Sequence, residues 1–417
     1  MNNDFPRMAI FWFGKVTPTA NYADVRVAYT SSELVVYVAV IDRRLWFASS
    51  PSPPTLTAWD AVTLLLHLDG NIGAVPTDSS YRFVGGLGNT ADPGRHQMAY
   101  RGTGSGWMPV SIPFTAVAGW RGERLNDDGD DRGWAMSFRI PFASLGRSGP
   151  PSEGTIWGLG LIVHDRDDAS GTPIPTAVWP ESLRPDVPAT WGRLRFGLPV
   201  YTPPPARPGG TVLIRHRLNG AIVRDASVGG YTVCGEGRDF WTQWGDTTED
   251  FYNPERSDLN IQNQVDIADW PCFSKYYVTF PLDALPPGKA ILSATLTLHL
   301  IGNAGGANAP RSWIQVLTVA QDWDDRSLTW NNAPLAAENI GGTWVDPVTN
   351  WPGWPGIPYR WDVTYAAAQA YATGQPLRLA LYSADGDYHS GKYFASSDTG
   401  DWNAAARPTL TVVWGDP

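Results

Sequence analysis

The amino-acid sequence predicts an all-β protein of two β-sandwich, jelly-roll-like domains joined by a proline-rich linker. Three observations carry this prediction. Strand-like patterns fill both halves, one proline- and glycine-rich run lies between them, and the 417 residues exceed what one hydrophobic core usually serves. With 43% hydrophobic and 17% charged residues, the chain has enough apolar side chains to build such cores.

The first predicted domain covers residues 1–200. The segment "ELVVYVAVI" (33–41) is apolar on both faces, as in a strand between two layers. In "WAMSFRIPF" (134–142), apolar and polar residues alternate, as in a strand with one buried face. Turn-rich segments separate further strands of the same kind, which favours a β-sandwich.

The predicted linker covers residues 201–211, where Pro203 to Pro205 would hold the chain extended and Gly209 and Gly210 would loosen its end. The second predicted domain, residues 212–417, repeats the strand pattern, for example in "AILSATLTLHLIG" (290–302). One short helix is predicted in "TYAAAQAYATG", with Thr364 as its N-cap and Gly374 at its end.

The formal net charge of −10 would repel the phosphate backbone of a nucleic acid and an anionic membrane surface, so we expect neither as a partner. No stretch approaches the roughly 20 apolar residues of a membrane-spanning helix, so membrane insertion is not expected. The start, "MNNDFPRMAIFWFG", does not have the pattern of a signal peptide. We expect an extracellular or cell-surface chain that comes from a larger secreted protein.

The two cysteines, Cys234 and Cys272, form no CxxC motif or Cys/His cluster, so the sequence does not support a zinc or iron–sulfur site. We predict a disulfide between them in the secreted protein, which would staple a polar, turn-rich segment.

Tryptophan is the strongest compositional signal, with 21 in the chain. Sugar rings stack their C–H faces on aromatic planes, so exposed loop tryptophans predict polysaccharide binding; burial at the end of a sandwich is the alternative. In "TNWPGWPGIPY", the prolines favour an extended chain that would place Trp351 and Trp354 on one face about 9 Å apart. The loop candidates are Trp46, Trp241, Trp244, Trp351, Trp354 and Trp402.

The acidic segment "LNDDGDDRGW" is the first candidate for a metal site. Carboxylates around a glycine turn suit calcium, which makes Asp127, Asp130 and Asp131 the predicted ligands, and a solvated acidic turn the alternative. The segment "HDRDDAS", with Asp165, Asp167 and Asp168, is a second candidate, with the same alternative of a solvated turn. We expect no organic cofactor.

Catalysis has little support in the sequence. The six histidines are scattered, and HExxH, GxSxG, GxGxxG and P-loop motifs are absent. His67 and His299 lie in strand patterns, where a hydrogen-bonded structural imidazole is expected. The prediction is therefore a non-catalytic binding protein; a glycoside hydrolase or polysaccharide lyase, and a structural or adhesive surface protein, are the alternatives.

The first half resembles the family 9 carbohydrate-binding modules. The matching segments, in order, are "ADVRVAYTSSELVVYVAVID", "WDAVTLLLHLD", "WAMSFRIPFASLG", "GTIWGLGLIVHDRDD" and "TWGRLRFG".

The second half resembles the DNRLRE domain, also grouped with family 96 carbohydrate-binding modules. Its matching segments are "KYYVTFPLDALPPGKAILSATLTLHL", "DWDDRSLTWNNAP", "WDVTYAAAQAYATG" and "GKYFASSDTGDWNAAARPTLTVVW". The resemblance implies a secreted or cell-surface bacterial protein that binds polysaccharide, often beside a catalytic domain. It does not imply catalysis by these domains.

Overall fold

The structure is a computed structural model, and it describes residues 8–70, 73–88, 93–229, 239–248, 258–263, 273–385 and 390–417. The chain divides into two compact units, an N-terminal one that includes residues 8–197 and 240–242 and a C-terminal one that includes residues 198–239 and 243–417. None of the helices in the described ranges has the length and apolar character needed to cross a membrane. Cys234 and Cys272 lie outside the described residues, so their disulfide stays a prediction.

The N-terminal unit is built from strands β1 to β12 in its described part. Their bounds are β1 (Ala9–Thr17), β2 (Ala20–Tyr29), β3 (Glu33–Ile41), β4 (Ala61–His67), β5 (Ser80–Gly86), β6 (Gln97–Gly102), β7 (Trp107–Val110), β8 (Thr115–Arg121), β9 (Gly133–Pro141), β10 (Ile156–His164), β11 (Ala177–Trp179) and β12 (Gly192–Arg195).

These strands form two antiparallel sheets. The first has the order β1-β2-β3-β9-β8, and the second has the order β11-β10-β4-β5-β6-β7, with β12 also paired to β10. The sheets pack face to face: a Cβ added at Gly85 of β5 would lie 2.7 Å from the sulfur of Met136 on β9. The apolar β3 pairs with β2 on one side and β9 on the other, as its sequence predicted for a central strand.

The described part of the C-terminal unit contains strands β13 to β23 and one α-helix. Their bounds are β13 (Arg207–Arg215), β14 (Arg224–Gly229), β15 (Asp258–Asn263), β16 (Phe273–Phe280), β17 (Ala290–Asn303), β18 (Ser312–Val319), β19 (Ala336–Val345), β20 (Ile357–Asp362), α1 (Thr364–Ala372), β21 (Leu377–Ser383), β22 (Lys392–Ala395) and β23 (Thr409–Asp416).

These strands pair in the order β13-β23-β17-β22-β15-β16-β21-β18-β19, with β14 on β16 and β20 on β17. Strand β17 shows the predicted alternation, since Leu296 and Leu298 are buried whereas Thr297 between them is partly exposed. These leucines share one hydrophobic core with Val278 of β16 and Leu379 of β21. The all-β, sandwich fold class predicted from the sequence is confirmed; the jelly-roll detail stays a prediction.

The structure differs from the sequence prediction at the end of the linker. Strand β13 begins at Arg207, which pairs with Asp416 of β23, so residues 207–211 lie in an edge strand. The indole of Trp414 packs on the glycines of this segment, because a Cβ added at Gly209 would lie 2.2 Å from its ring. Because glycine has no side chain, these positions leave room for the Trp414 ring to pack on the strand.

Helix α1 lies where it was predicted, but its first turn is arranged differently. Thr364 is the first helical residue, and its backbone N–H donates to the carboxylate of Asp362 at 2.9 Å. Its hydroxyl accepts the N–H of Ala294 at 2.9 Å, so it ties the helix to β17. Gly374 follows the helix with φ of +66°, which suits glycine.

Candidate functional site

Three of the tryptophans predicted as sugar contacts are buried, which corrects the prediction for them. Trp46, Trp241 and Trp244 are 8%, 3% and 2% exposed. The Trp244 ring lies 4.9 Å from Phe273 and 5.0 Å from Trp330, in an aromatic cluster of the C-terminal unit. An indole has so much apolar surface that a short loop segment gains stability by folding it inward.

The rings of Trp46 and Trp241 are also shielded from solvent. The backbone N–H of Trp46 donates to the buried carboxylate of Asp60 at 2.7 Å, which draws the loop after β3 into the N-terminal unit. The Trp241 ring meets Phe240 edge to face at 5.0 Å. None of these three side chains offers a ring face to a polymer in solution.

The other three loop tryptophans are exposed, as predicted. Trp351, Trp354 and Trp402 are 57%, 44% and 70% exposed. The centroids of Trp351 and Trp354 are 4.9 Å apart with their planes at 79°, and those of Trp354 and Trp402 are 4.9 Å apart at 85°. We call these three side chains the tryptophan cluster; Trp354 is its centre.

The predicted spacing of Trp351 and Trp354 is wrong, because the chain between them is not extended. Gly353 has φ of +77° and Gly356 has φ of +98°, conformations that side chains rarely adopt. These two glycines turn the segment, so the two rings touch where an extended chain would separate them by about 9 Å.

The tertiary structure brings Trp402 to the other two rings. Trp351 and Trp354 lie in the loop between β19 and β20, whereas Trp402 lies in the turn between β22 and β23. Strands β20 and β23 both pair with β17. The ring of His299 on β17 donates from Nδ1 to the carbonyl of Ala406 at 3.1 Å, so the Trp402 turn is tied to this strand.

Arg407 holds the Trp402 turn in place. This side chain is 2% exposed, and it donates from Nε to the carbonyl of Thr399 at 2.7 Å and from Nη1 to that of His216 at 3.2 Å. Its Nη2 donates to the Asp401 carboxylate at 2.5 Å, and this hydrogen bond lowers the pKa of Asp401. An exposed, ionised carboxylate therefore lies next to Trp402 in the chain.

The three predicted calcium ligands in the acidic segment do not converge. Asp130 forms an ion pair with Arg43 at 2.6 Å, and Asp127 accepts the N–H of Gly129 at 2.9 Å. Asp131 is buried and accepts the N–H of Leu45 at 3.2 Å, and burial raises its pKa to about 6. These contacts are those of a folded turn.

A different set of acids does converge. Within the described residues, Asp42, Asp60 and Asp165 are the one group of three that brings an oxygen of each side chain within 4.8 Å of the others. Asp165 belongs to the second acidic segment considered above, whereas Asp42 and Asp60 were missed. Their signal in the sequence is weak: each is a single aspartate at the end of an apolar strand.

One arrangement resembles catalytic machinery but is closed to substrate. His67 bonds Ser80 through Nδ1 at 2.8 Å and Asp69 through Nε2 at 3.1 Å. His67 and Ser80 are buried, and the Ser80 hydroxyl oxygen also accepts the N–H of Thr77 at 3.0 Å. A substrate cannot reach this serine, and the contacts match the structural imidazole predicted for His67.

Known proteins were compared with the chain. Residues 237–412 match the family model of Carbohydrate-binding module family 96. No curated protein matches. Similar solved structures include a family 9 carbohydrate-binding module from Caldicellulosiruptor kristjanssonii in complex with glucose, at 14% identity and a TM-score of 0.31 over 47% of this chain and 87% of that chain. Another is a family 9 module from the same organism in complex with cellotriose. It has 14% sequence identity and a TM-score of 0.32, over 48% of this chain and 92% of that chain.

The tryptophan cluster lies within the residues that match the family model. Over residues 237–412, the C-terminal half is similar to carbohydrate-binding module family 96, which confirms the resemblance predicted from its motifs.

Proposed function

We propose that this protein binds a polysaccharide without catalysing its cleavage, and that the tryptophan cluster is the surface that touches the sugar. The observation that carries the proposal is the contact of three exposed indoles inside the region similar to family 96. Exposed apolar side chains this large and this close together are costly in water unless a ligand covers them. Sugar rings are such a ligand, since their C–H faces stack on indoles.

The angles between the rings favour one form of the ligand. The plane of Trp354 lies at 79° to that of Trp351 and at 85° to that of Trp402, so the three ring faces cannot all lie on the flat surface of a crystalline polysaccharide. A single chain, or a chain end, can instead place successive sugars against rings that face different directions. The ligand class that this arrangement favours is therefore a soluble or amorphous polysaccharide.

The similarity to a carbohydrate-binding module family bears on where the protein acts. Carbohydrate-binding modules are typically extracellular, so we infer an extracellular or cell-surface location. A binding module contributes by holding a polymer near another activity, and we infer a catalytic domain or a larger secreted protein as the partner.

Binding and catalysis are separated in one experiment. The purified chain is applied to a panel of soluble, amorphous and crystalline polysaccharides, and retention is measured together with release of reducing ends and unsaturated products. We expect retention on at least one soluble or amorphous glycan, with no product. Product formation would support the hydrolase or lyase alternative, and absence of both would support the adhesive or structural one.

Alanine variants locate the site. Trp354→Ala removes the central ring, and we expect glycan affinity to fall roughly tenfold, which corresponds to about 1.4 kcal/mol, with a melting temperature close to wild type. Trp120→Ala is the matched control, because Trp120 is 40% exposed and lies on β8 of the N-terminal unit. Equal losses in the two variants would mean that the cluster is not the site.

Trp244→Ala tests the corrected assignment of the buried tryptophans. Its ring packs against Phe273 and Trp330, so truncation should lower the free energy of unfolding by about 3–5 kcal/mol. Chemical denaturation measures this loss. A variant with wild-type stability and weakened glycan binding would instead indicate that Trp244 contacts the sugar.

A further inference from the structure

A cavity of about 760 Å³ lies at one end of the C-terminal unit. Three segments of the chain surround it: the residues at the start of β14, the loop between β16 and β17, and the end of α1. Pockets that hold small molecules in proteins have volumes of roughly 300–1,000 Å³. The cavity is therefore large enough for a ligand.

The cavity and the tryptophan cluster lie at opposite ends of β17. Gly288 lines the cavity, and the strand begins just after it, at Ala290. In the loop of the cluster, a Cβ at Gly356 would touch the carbonyl of Leu300, near the other end of the strand. At about 3.3 Å per strand residue, the distance from Ala290 to Leu300 is roughly 33 Å. A sugar bound in the cavity therefore does not touch the cluster.

The floor of the cavity is apolar apart from one hydroxyl group. Leu282 and Leu285 are buried and line it together with Thr279, which is 4% exposed. The Oγ1 atom of Thr279 is buried and has no hydrogen-bond partner within the part of the chain that the structure describes. Because Thr279 belongs to the lining, rotation about its Cα–Cβ bond can turn this hydroxyl towards a ligand. A ligand that bonds it removes the cost of an unsatisfied polar group.

Tyr371 forms part of the wall, and its hydroxyl group is held by the protein. The hydroxyl donates to the carbonyl of Pro286 at 2.5 Å and accepts the N–H of Lys289 at 2.9 Å. These two hydrogen bonds fix the orientation of the ring. Pro281 and Pro376 add rigid apolar rings to the same walls. A fixed aromatic ring among apolar C–H groups is the kind of surface on which a sugar ring stacks.

The rim of the cavity is polar, and its charges balance. The exposed side chains of Asp283 and Gln375 lie on it. Arg224 lies there too, and its guanidinium is oriented by hydrogen bonds to the carbonyl of Trp323 at 2.8 Å and to the carboxylate of Asp322 at 2.9 Å. Asp283 and Arg224 supply one charge of each sign to the lining, so the cavity suits a neutral ligand. Carboxylate, amide and guanidinium groups all form hydrogen bonds with hydroxyl groups.

We propose that this cavity binds a neutral sugar, with the Thr279 hydroxyl as one of its hydrogen-bond partners. The inference rests on the proposed function, to which it adds a second binding place. All the lining residues except Ile222 and Arg224 lie within the residues similar to carbohydrate-binding module family 96. Because three segments surround the cavity, it accepts a short oligosaccharide or the end of a chain. The C-terminal unit then holds one polymer at two places, or two polymers, and double binding of one polymer raises the overall affinity.

The test follows two methyl groups of the full chain by NMR, with the δ1 methyls of isoleucine labelled. Ile222 is 68% exposed and lines the cavity, whereas Ile357 is 38% exposed and directly follows the loop of the tryptophan cluster. The probes are cellobiose, maltose, lactose, mannobiose, xylobiose and chitobiose at millimolar concentrations. We expect at least one of them to shift the Ile222 signal in a saturable way. An Ile222 signal that none of them shifts overturns the proposal.

A variant that fills the cavity locates the sugar. Ala372 is an exposed lining residue at the end of α1, so Ala372→Met should lower the affinity reported by the Ile222 signal by about tenfold or more. Gln369→Met is the matched control, because it adds the same side chain to an exposed position of the same helix outside the lining. Equal affinities in the two variants overturn the proposal.

Thr279→Val gives a second test if Ala372→Met does not fold. It removes a hydroxyl that has no partner, so the melting temperature should stay at or above that of the wild type. The affinity should fall by about threefold or more, which is the loss of one hydrogen bond. An unchanged affinity overturns the proposal.

Trp354→Ala separates the cavity from the proposed function. This variant should keep the Ile222 response and lose both the Ile357 response and the retention on polysaccharide. A wild-type protein that shows the Ile222 response without retention on polysaccharide would contradict the proposed function and support the cavity. Retention with an Ile357 response and an unchanged Ile222 signal would support the proposed function and overturn the cavity.

Discussion

Trp354 and Trp402 meet edge to face with their ring centres 4.9 Å apart, although they belong to different loops of the C-terminal unit. The contact depends on the turn made by two glycines on one side and on the hydrogen bonds of Arg407 on the other. The tryptophan cluster is therefore held in place by the protein itself, and such preorganisation lowers the entropy cost of binding the sugar proposed above.

Gly356 is predicted to be essential for this arrangement. A Cβ at this position would lie 2.6 Å from the carbonyl oxygen of Leu300, so Gly356→Ala must displace the loop from β17. We expect glycan affinity to fall by about tenfold or more, corresponding to at least about 1.4 kcal/mol, as measured by affinity electrophoresis or calorimetry.

Gly353→Ala is the matched control for backbone strain. Gly353 also has positive φ, but a Cβ there would meet no atom within 4 Å. We expect only the strain cost of roughly 1 kcal/mol in stability, with a smaller loss of binding. Equal binding losses in the two variants would show that the contact with Leu300 does not position the cluster.

Asp225 is predicted to make the stability of the C-terminal unit depend on pH. Its carboxylate accepts the hydroxyl of Tyr276 at 3.1 Å, the N–H of Ser397 at 2.9 Å and the Ser397 hydroxyl, yet burial dominates and raises its pKa to about 7. A raised carboxyl pKa means that the unfolded chain ionises first. The stability is therefore fully present below about pH 4 and is lost as the pH rises towards 7.

Asp225→Asn isolates this effect. The variant should resemble the wild type near pH 4 and become more stable than it at neutral pH, by on the order of a few kcal/mol. Thermal melts of both proteins between pH 4 and 8 measure the difference. A constant difference across this range would mean that Asp225 is ionised in the folded state throughout it.

The start of the C-terminal unit is predicted to lie before Arg207. A fragment of residues 198–417 keeps the whole of β13, whereas one of residues 212–417 loses the pairing of 207–211 with β23. We expect the shorter fragment to be less stable by roughly 1–3 kcal/mol, since each lost backbone hydrogen bond contributes about 1 kcal/mol. Equal melting temperatures of the two fragments would mean that residues 207–211 do not stabilise the C-terminal unit and act as part of the linker.

The sequence predicted the elements of the fold because strands have a local signature. The alternation in β17 and the two apolar faces of β3 are properties of consecutive residues, and both strands lie where expected. Helix α1 was recognised in the same way, from an alanine-rich run ending near Gly374.

The candidate sites could be predicted only in part. The exposure of Trp351 and Trp354 was predicted correctly because proline and glycine mark a surface loop. Trp244 was also assigned to a surface loop, but its side chain is buried. Both segments have tryptophans three residues apart; the difference is that Phe273 and Trp330, distant in the chain, surround Trp244. Sequence spacing does not reveal such neighbours.

The sequence by itself determined the two-unit, all-β plan and the similarity of residues 237–412 to carbohydrate-binding module family 96. Both can be recognised from short runs of adjacent residues. Only the tertiary structure decided that Trp402 completes the tryptophan cluster and that Asp42, Asp60 and Asp165 share one buried position. These groups form because strand pairing and sheet packing bring together residues that are far apart in the chain, and their energies depend on burial, which no local pattern specifies.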